Sequence, residues 1–221
     1  MNNKTLGLIH TSATLVPVFQ SLCAAHLPGI DTFNIVDDSL IKDVIRKNEL
    51  TKATAKRVVD HVAAAAGAGA DLILVTCSSI GSAIEMAAEL IDVPVLRVDQ
   101  AMADQAVQMG KRIGVIATLP TTLAPTSDLV QRRATLANRE ITLNTKLCNG
   151  AFEALMSGDA TKHDEMVSTA LLSLAQEVDV IVLAQASMAR VADGLSAEQK
   201  TVPILASPTL AIQQVAALFG V

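Results

Sequence analysis

Short apolar runs rich in Val, Ile and Leu alternate along the chain with longer segments whose apolar residues recur at helical spacing. Runs of this kind are typical of buried strands. We predict strands at Leu6–His10, Asp71–Thr76, Val93–Val98, Ile113–Ala117, Val178–Ala184 and Val202–Ala206. Because strands and helices alternate, the expected fold class is α/β, with parallel sheets flanked by helices.

The pattern repeats after about half of the chain. Three segments recur in order, 107 to 109 positions later: Gly7–Thr11 as Gly114–Thr118, Asp71–Ser79 as Asp179–Ser187, and Val93–Leu96 as Val202–Leu205. Chance similarity explains one such match more easily than three, and the repeats of solenoid proteins are far shorter. We therefore predict an internal duplication that gives two pseudo-symmetric lobes, residues 1–97 with 207–221 and residues 98–206.

The predicted lobes indicate where a ligand would bind. Parallel α/β sheets bind ligands at the carboxyl ends of their strands, where the following helices begin. We expect the active site in the cleft between the lobes, lined by the residues that end the repeated strands. These candidates are His10, Thr11, Ser12, Cys77, Ser78, Ser79, Thr118, Gln185, Ala186 and Ser187.

Cys77 is the candidate with the most reactive side chain. It follows an apolar strand and precedes a helical stretch that begins near Ile80. Because a helix N-terminus stabilises a thiolate, we expect an ionised sulphur suited to acid–base chemistry. The alternative is a small buried apolar residue, which is the common role of a free cysteine. Cys23 and Cys148 are expected to have that structural role.

The hydroxyl residues among the candidates have two compatible roles. Ser and Thr at these places cap helices, and together with free backbone N–H groups they can bind a carboxylate without an arginine. His10 is either a functional residue, as an acid, a base or a ligand contact, or a buried structural residue. We expect Asp37, which follows a strand at Thr32–Val36, to cap the next helix. Thr161 and Asp164 have the spacing of a capping box at the start of another helix.

Composition and charge narrow the classes of partner. The net charge of −5 provides no basic surface for nucleic acid, and no apolar run approaches the roughly 20 residues that span a bilayer. The three cysteines are odd in number and widely spaced, which argues against a disulfide framework. The sequence has no phosphate-binding or metal-binding motif, so we expect neither a cofactor nor a metal. We predict a cytoplasmic protein that binds a small molecule, for which a homo-oligomeric state would be unsurprising.

These residues together resemble the aspartate/glutamate/hydantoin racemase superfamily, which also contains maleate isomerase and arylmalonate decarboxylase. The resemblance rests on the duplication and on four segments in order: His10-Thr11, Asp37–Leu40, Val75-Thr-Cys-Ser-Ser79 and Ala117-Thr118. It implies cofactor-independent chemistry on a small carboxylate. In the racemases of this superfamily two cysteines face the substrate carbon, and one removes the α-proton while the other returns a proton.

The chain departs from that arrangement in its second half. The register that places Cys77 in the first repeat places Gln185 in the second, and a carboxamide is neither an acid nor a base near neutral pH. The predicted function is a racemase-like isomerase in which Cys77 transfers protons at the α-carbon. A single-cysteine decarboxylase, a cis–trans isomerase and a non-catalytic carboxylate-binding protein stay open. A further alternative, a flavodoxin-like or nucleotide-binding domain, is suggested by the fold class alone and lacks the phosphate-binding loop that would support it.

Overall fold

A computed structural model describes residues 4–221. The helices and strands follow in this order: β1 (Thr5–His10), α1 (Leu15–His26), β2 (Asp31–Val36), α2 (Asp38–Lys47), α3 (Lys52–Gly67), β3 (Leu72–Val75), α4 (Gly81–Leu90), β4 (Val95–Arg97), α5 (Gln100–Met109), β5 (Arg112–Ala117), α6 (Pro120–Leu136), β6 (Thr142–Leu147), α7 (Ala151–Met156), α8 (Ala160–Leu174), β7 (Val180–Leu183), α9 (Ala189–Asp193), β8 (Ile204–Ala206) and α10 (Ser207–Phe219). Short 3₁₀ turns at Ser78–Ile80 and Ala186–Met188 follow β3 and β7.

The first compact unit runs to Gln100 and also includes Pro208–Val221. Its four parallel strands lie in the order β2-β1-β3-β4. Successive side chains of a strand point to opposite faces, so Leu74 packs with residues of α1 and α10 while Ile73 packs with residues of α3 and α4. Helices therefore cover both faces of the sheet, which explains why its central strands are continuously apolar.

The second compact unit comprises Ala101–Ser207. Its parallel strands lie in the order β6-β5-β7-β8. In both units the second strand along the chain is at one edge, followed across the sheet by the first, third and fourth strands. Ile116, Leu171 and Leu183 belong to its core, where α8 packs against the sheet. Both units confirm the predicted α/β class with parallel sheets and flanking helices.

Several local predictions need correction. β6 was not among the predicted strands, because its sequence is mainly polar and it lies at the edge of its sheet. The N-cap of α8 is Asp159, whose carboxylate accepts a hydrogen bond from the Lys162 N–H, so the predicted capping box starting at Thr161 is wrong. Asp37 does cap α2 as predicted, since it accepts a hydrogen bond from the Ser39 N–H.

Close packing explains why the second unit has a glycine at position 114. A Cβ at Gly114 in β5 would lie 2.8 Å from Leu174 Cδ2 and 3.3 Å from Val178 Cγ2. Distances this short require the end of α8 or the strand itself to shift. Glycine at this place therefore lets α8 approach the sheet closely.

Candidate active site

The carboxyl ends of three strands meet in the first unit. Ile9 of β1 lies opposite Val75 of β3, and the Thr76 N–H donates to the Ile9 carbonyl at 2.9 Å. On the other side of β3, the Val98 N–H donates to the Val75 carbonyl at 3.1 Å. The residues that follow β1, β3 and β4 are therefore neighbours at one edge of the sheet.

Cys77 lies at this edge, in extended backbone directly before the 3₁₀ turn at Ser78–Ile80. Its side chain is half-buried. The Thr11 side chain hydrogen-bonds to the sulphur, and so do the backbone N–H groups of Ser79 and Ile80. The sequence prediction that a helical N-terminus would meet this sulphur therefore describes its neighbours correctly.

The prediction of an ionised Cys77 is wrong. Burial raises the pKa of the thiol, and this effect outweighs the lowering by Thr11 and the two N–H groups. The negative charge of Asp99 raises the pKa further. Cys77 is consequently a thiol at neutral pH, which means that the free protein holds a proton donor rather than a thiolate.

The hydroxyl candidates of the first unit differ in exposure. Thr11, Ser78 and Ser79 are buried, whereas Ser12 is half-buried and its hydroxyl lies 2.7 Å from the Thr14 hydroxyl. All four lie at the same sheet edge as Cys77. Of these four residues, Thr11 donates to the sulphur from its side chain and Ser79 from its backbone N–H.

The imidazole ring of His10 is buried, and both of its nitrogens are hydrogen-bonded. Its side chain is 0 % exposed, with Nδ1 2.8 Å from Thr76 Oγ1 and Nε2 2.9 Å from Asn34 Oδ1. Burial lowers its pKa, so the ring is neutral; the Nε2–H then donates to Asn34 and Nδ1 accepts from the Thr76 hydroxyl. This placement favours the structural role, because neither ring nitrogen is available to a ligand in this conformation.

A buried ion pair beside Cys77 was missed by the sequence analysis. Arg97, at the end of β4, donates from Nε and Nη2 to the two carboxylate oxygens of Asp99 at 3.0 and 2.9 Å, and from Nη1 to Glu85 at 2.6 Å. Arg97 is 3 % exposed and Asp99 is 0 % exposed. The sequence does contain a signal for this ion pair, because two charged residues stand at the end of a predicted buried strand.

The second unit holds its strand ends in an equivalent way. The Gln185 carboxamide oxygen accepts from the Thr118 N–H at 2.6 Å and from the Thr118 hydroxyl at 3.0 Å. Gln185 has extended backbone before a 3₁₀ turn, as Cys77 does. Its carboxamide nitrogen has no hydrogen-bond partner among residues 4–221 and remains a free donor. Gln185 and Ala186 are half-buried, and Ser187 is exposed.

Other titratable clusters lie elsewhere in the second unit. Asp164 accepts two hydrogen bonds from Arg190 at 2.5 and 2.7 Å and one contact from His163 Nδ1 at 2.9 Å. Within the described part of the chain, no three His, Cys, Asp or Glu side chains are grouped as metal ligands. Across the same residues, none of the helices combines the length and apolar character needed to cross a membrane.

Comparison with known proteins identifies the family of the chain. The family model described as Asp/Glu/Hydantoin racemase matches residues 6–215, in agreement with the resemblance found in the sequence. No curated protein matches the chain by sequence.

Solved racemase structures share the fold. Glutamate racemase from Francisella tularensis, in complex with D-glutamate, is 15 % identical with a TM-score of 0.75, covering 100 % of this chain and 82 % of that one. Aspartate racemase from Picrophilus torridus is 14 % identical with a TM-score of 0.73, covering 97 % and 95 %. Allantoin racemase from Klebsiella pneumoniae is 18 % identical with a TM-score of 0.72, covering 99 % and 88 %. At these identities the likeness establishes the fold alone.

Proposed function

Since the chain belongs to the Asp/Glu/hydantoin racemase family, we propose that it is a cofactor-independent, racemase-like isomerase of a small carboxylate. In this proposal Cys77 transfers a proton at the α-carbon. The observation that carries it is the set of hydrogen-bond donors on the Cys77 sulphur, from Thr11 and the N–H groups of Ser79 and Ile80. Such donors stabilise the thiolate that forms when the thiol gives up its proton.

The proposed proton transfer needs no external reagent. An enediolate takes the proton of the Cys77 thiol at its α-carbon, so that a C–H bond forms, the S–H bond breaks and the negative charge passes to sulphur. In the reverse step the thiolate removes an α-proton from the same face. A half-buried thiol hydrogen-bonded at its sulphur is suited to both steps.

The proposed substrate contacts are the remaining strand-end residues. The free carboxamide nitrogen of Gln185 is suited to donate to a substrate oxygen, with its direction fixed by Thr118. The further proposed contacts are Thr11, Ser12, Ser78, Ser79, Ala186 and Ser187. His10 is instead proposed as a positioning residue, since it bonds to Thr76, the residue before Cys77.

Gln185 favours a second candidate, a single-cysteine decarboxylase. Inversion of configuration requires an acid and a base on opposite faces of the carbon, and a carboxamide can be neither. Loss of carbon dioxide from a malonate-type substrate yields the enediolate without a base, so one thiol suffices to complete the reaction. The protonated resting state of Cys77 suits this order of events.

The test compares the protein with Cys77→Ala in deuterated water, using proton NMR and chiral chromatography. The substrate panel contains aspartate, glutamate, hydantoins, maleate, 2-hydroxy acids and substituted malonates. Cys148→Ala is the matched control, because Cys148 is buried in the core of the second unit. Cys77-dependent deuterium incorporation with retained configuration supports proton transfer by Cys77 at one face, and Cys77-dependent release of carbon dioxide supports the decarboxylase.

Two results would contradict the proposed function of Cys77 and Gln185. Compounds that raise the melting temperature of the protein and of Cys77→Ala alike, with no chemical change, would identify a non-catalytic binding protein. Inversion that depends on Cys77 would show that a second residue replaces the missing cysteine, against the role proposed for Gln185.

Two broader proposals accompany the function. We infer an internal duplication, supported by the equal strand order of the two sheets and by the matching pairs Thr11–Cys77 and Thr118–Gln185. We also infer a cytoplasmic location, supported by three cysteines that are all free thiols.

A further inference from the structure

The Arg97 guanidinium occupies an unusual place for a positive charge. It lies against the first residue of α4, because a Cβ at Gly81 would fall 2.3 Å from Arg97 Cζ and 2.5 Å from each terminal nitrogen. The N-terminus of a helix carries a partial positive charge and ordinarily attracts anions. The guanidinium is nevertheless 3 % exposed, so the position of α4 is fixed by a buried group that its dipole does not favour.

Two carboxylates compensate this charge from different elements. Asp99, after β4, binds the guanidinium through both oxygens, and Glu85, in α4, binds its third nitrogen. A fork of this kind is rigid, since both partners are planar and two parallel hydrogen bonds hold them. The ion pair therefore connects the end of β4 to the start of α4, which directly follows the Ser78–Ile80 turn.

The same pair lies next to the reactive sulphur. Val75, two residues before Cys77, is opposite Arg97 in the sheet, and the Asp99 charge acts on the thiol. Charged or titratable groups of this unit near the sheet edge include Arg97 at the end of β4, Asp99 directly after β4, Glu85 in α4 and neutral His10 in β1. The charge of Asp99 raises the pKa of Cys77.

We propose that Arg97 and Asp99 are positioning residues of the active site. The guanidinium fixes the turn that carries the N–H groups of Ser79 and Ile80, and the Asp99 carboxylate adds to the effect of burial in favouring the protonated thiol of Cys77. This role rests on the proposed function of Cys77 as a proton-transfer group. The pair itself contacts no substrate.

The experiment is an ultraviolet titration of the Cys77 thiolate, taken as the difference between each protein and its Cys77→Ala form. The chain has no Trp and no Tyr, so tyrosinate absorption does not obscure the thiolate band. Asp99→Asn keeps the shape of the side chain and removes its charge. We expect its thiolate to form at lower pH, with up to about tenfold more thiolate at a fixed pH below the midpoint.

Glu85→Gln is the matched control. It removes a charge from the same guanidinium, but the Glu85 side chain is 37 % exposed whereas Asp99 is fully buried, so solvent screens the Glu85 charge more strongly. We expect its titration midpoint to move less than that of Asp99→Asn. Equal midpoints for Asp99→Asn and the unmodified protein, with both folded by circular dichroism, would overturn the proposal.

A second variant covers the case in which Asp99→Asn does not fold. The methyl group of Gly81→Ala must displace the guanidinium, which leaves the Asp99 charge without its partner. We expect this variant to form thiolate at higher pH, and an unchanged or lower midpoint would contradict the proposal.

The pH profile of kcat distinguishes a positioning role from a purely structural one. We expect the alkaline limb of the kcat profile to follow the thiol midpoint of each variant, with KM unchanged. Because the titration needs no substrate, a shifted midpoint in a protein that transforms no carboxylate supports the pair's effect on the thiol while refuting the proposed function. Profiles that stay fixed while the midpoint moves would contradict the positioning role.

Discussion

Cys77 and Gln185 hold equivalent places after β3 and β7. Each side chain is hydrogen-bonded to the threonine that follows the neighbouring strand, Thr11 after β1 or Thr118 after β5. The difference between them is chemical. A thiol exchanges its proton with a carbon acid, whereas a carboxamide only donates and accepts hydrogen bonds. At the scale of single residues the molecule thus has one acid–base group and one fixed donor, which is why one-sided proton transfer is the proposed chemistry.

Gln185→Glu tests the fixed donor. The new oxygen can keep the hydrogen bonds from Thr118, but the free N–H donor is replaced by a negative charge. We expect KM for a carboxylate substrate to rise about tenfold or more, equivalent to losing a hydrogen bond to a charged group, with little change in melting temperature. The control is Gln176→Glu, an exposed glutamine of the same unit, and an equal KM in both variants would refute the contact.

His10 makes stability depend on pH. In the folded protein, burial lowers the pKa of His10 below its usual value of 6.5. Below about pH 6.5 the unfolded chain therefore takes up a proton that the folded protein does not. Stability is therefore complete above this pH and falls as the pH decreases through it. Unfolding in denaturant between about pH 7.5 and 5 should show this slope.

The variants His10→Gln and His26→Gln identify the residue responsible for that slope. We expect His10→Gln to be less stable overall, because it loses the bonds to Thr76 and Asn34, and to have a flatter pH dependence. His26→Gln, at the end of α1, should retain the slope of the unmodified protein. An unchanged slope in His10→Gln would mean that another group titrates.

The elements are held together by close packing of helices on parallel strands. Helices cover both faces of each sheet, and small residues allow them to approach; Gly114 under α8 is the clearest example, and Gly7 has the same place in β1. With an aromatic content of only 2 %, the core depends on such short distances between aliphatic side chains.

Gly114→Ala should therefore destabilise the protein. The added methyl group would lie 2.8 Å from Leu174 Cδ2, and overpacking of this kind costs about 1–3 kcal/mol. The matched control is Gly67→Ala at the exposed end of α3, where a Cβ would meet nothing within 4 Å. Urea unfolding followed by circular dichroism should show a loss for the first variant only, and equal stabilities would contradict the packing argument.

At the scale of the whole molecule, the first unit is completed by the end of the chain. The chain leaves this unit after Gln100 and returns at Pro208, so that α10 packs with α1 and the sheet through Ile212 and Val215. The site residue Cys77 thus belongs to a unit whose core depends on residues more than a hundred positions away. Mutations near the C-terminus are consequently expected to affect the active site through stability.

Ile212→Ala measures this dependence. Ile212 is fully buried, and truncation of such a side chain costs about 2–5 kcal/mol. Leu218→Ala, in the same helix but 55 % exposed, is the control and should change stability by less than about 1 kcal/mol. If both variants unfold at the same denaturant concentration, α10 does not stabilise the first unit as proposed.

The amino-acid sequence by itself determined the α/β class, most strands and the place of the candidate residues. These follow from local patterns: apolar runs predict buried strands, and parallel strands bring their carboxyl ends to one edge. β6 was missed because an edge strand with polar residues has no apolar run. The observed β4 and β8 are also shorter than predicted, and each begins after a proline, Pro94 or Pro203.

Only the tertiary structure decided the electrostatics of the site. The sequence placed a helical N-terminus next to Cys77 and so predicted a thiolate, but burial and Asp99 leave a thiol. It likewise could not show that His10 is enclosed or that Arg97 bonds to Asp99 and Glu85. Desolvation and charge pairing depend on everything that surrounds a group in space, and residues from separate strands and helices provide those surroundings.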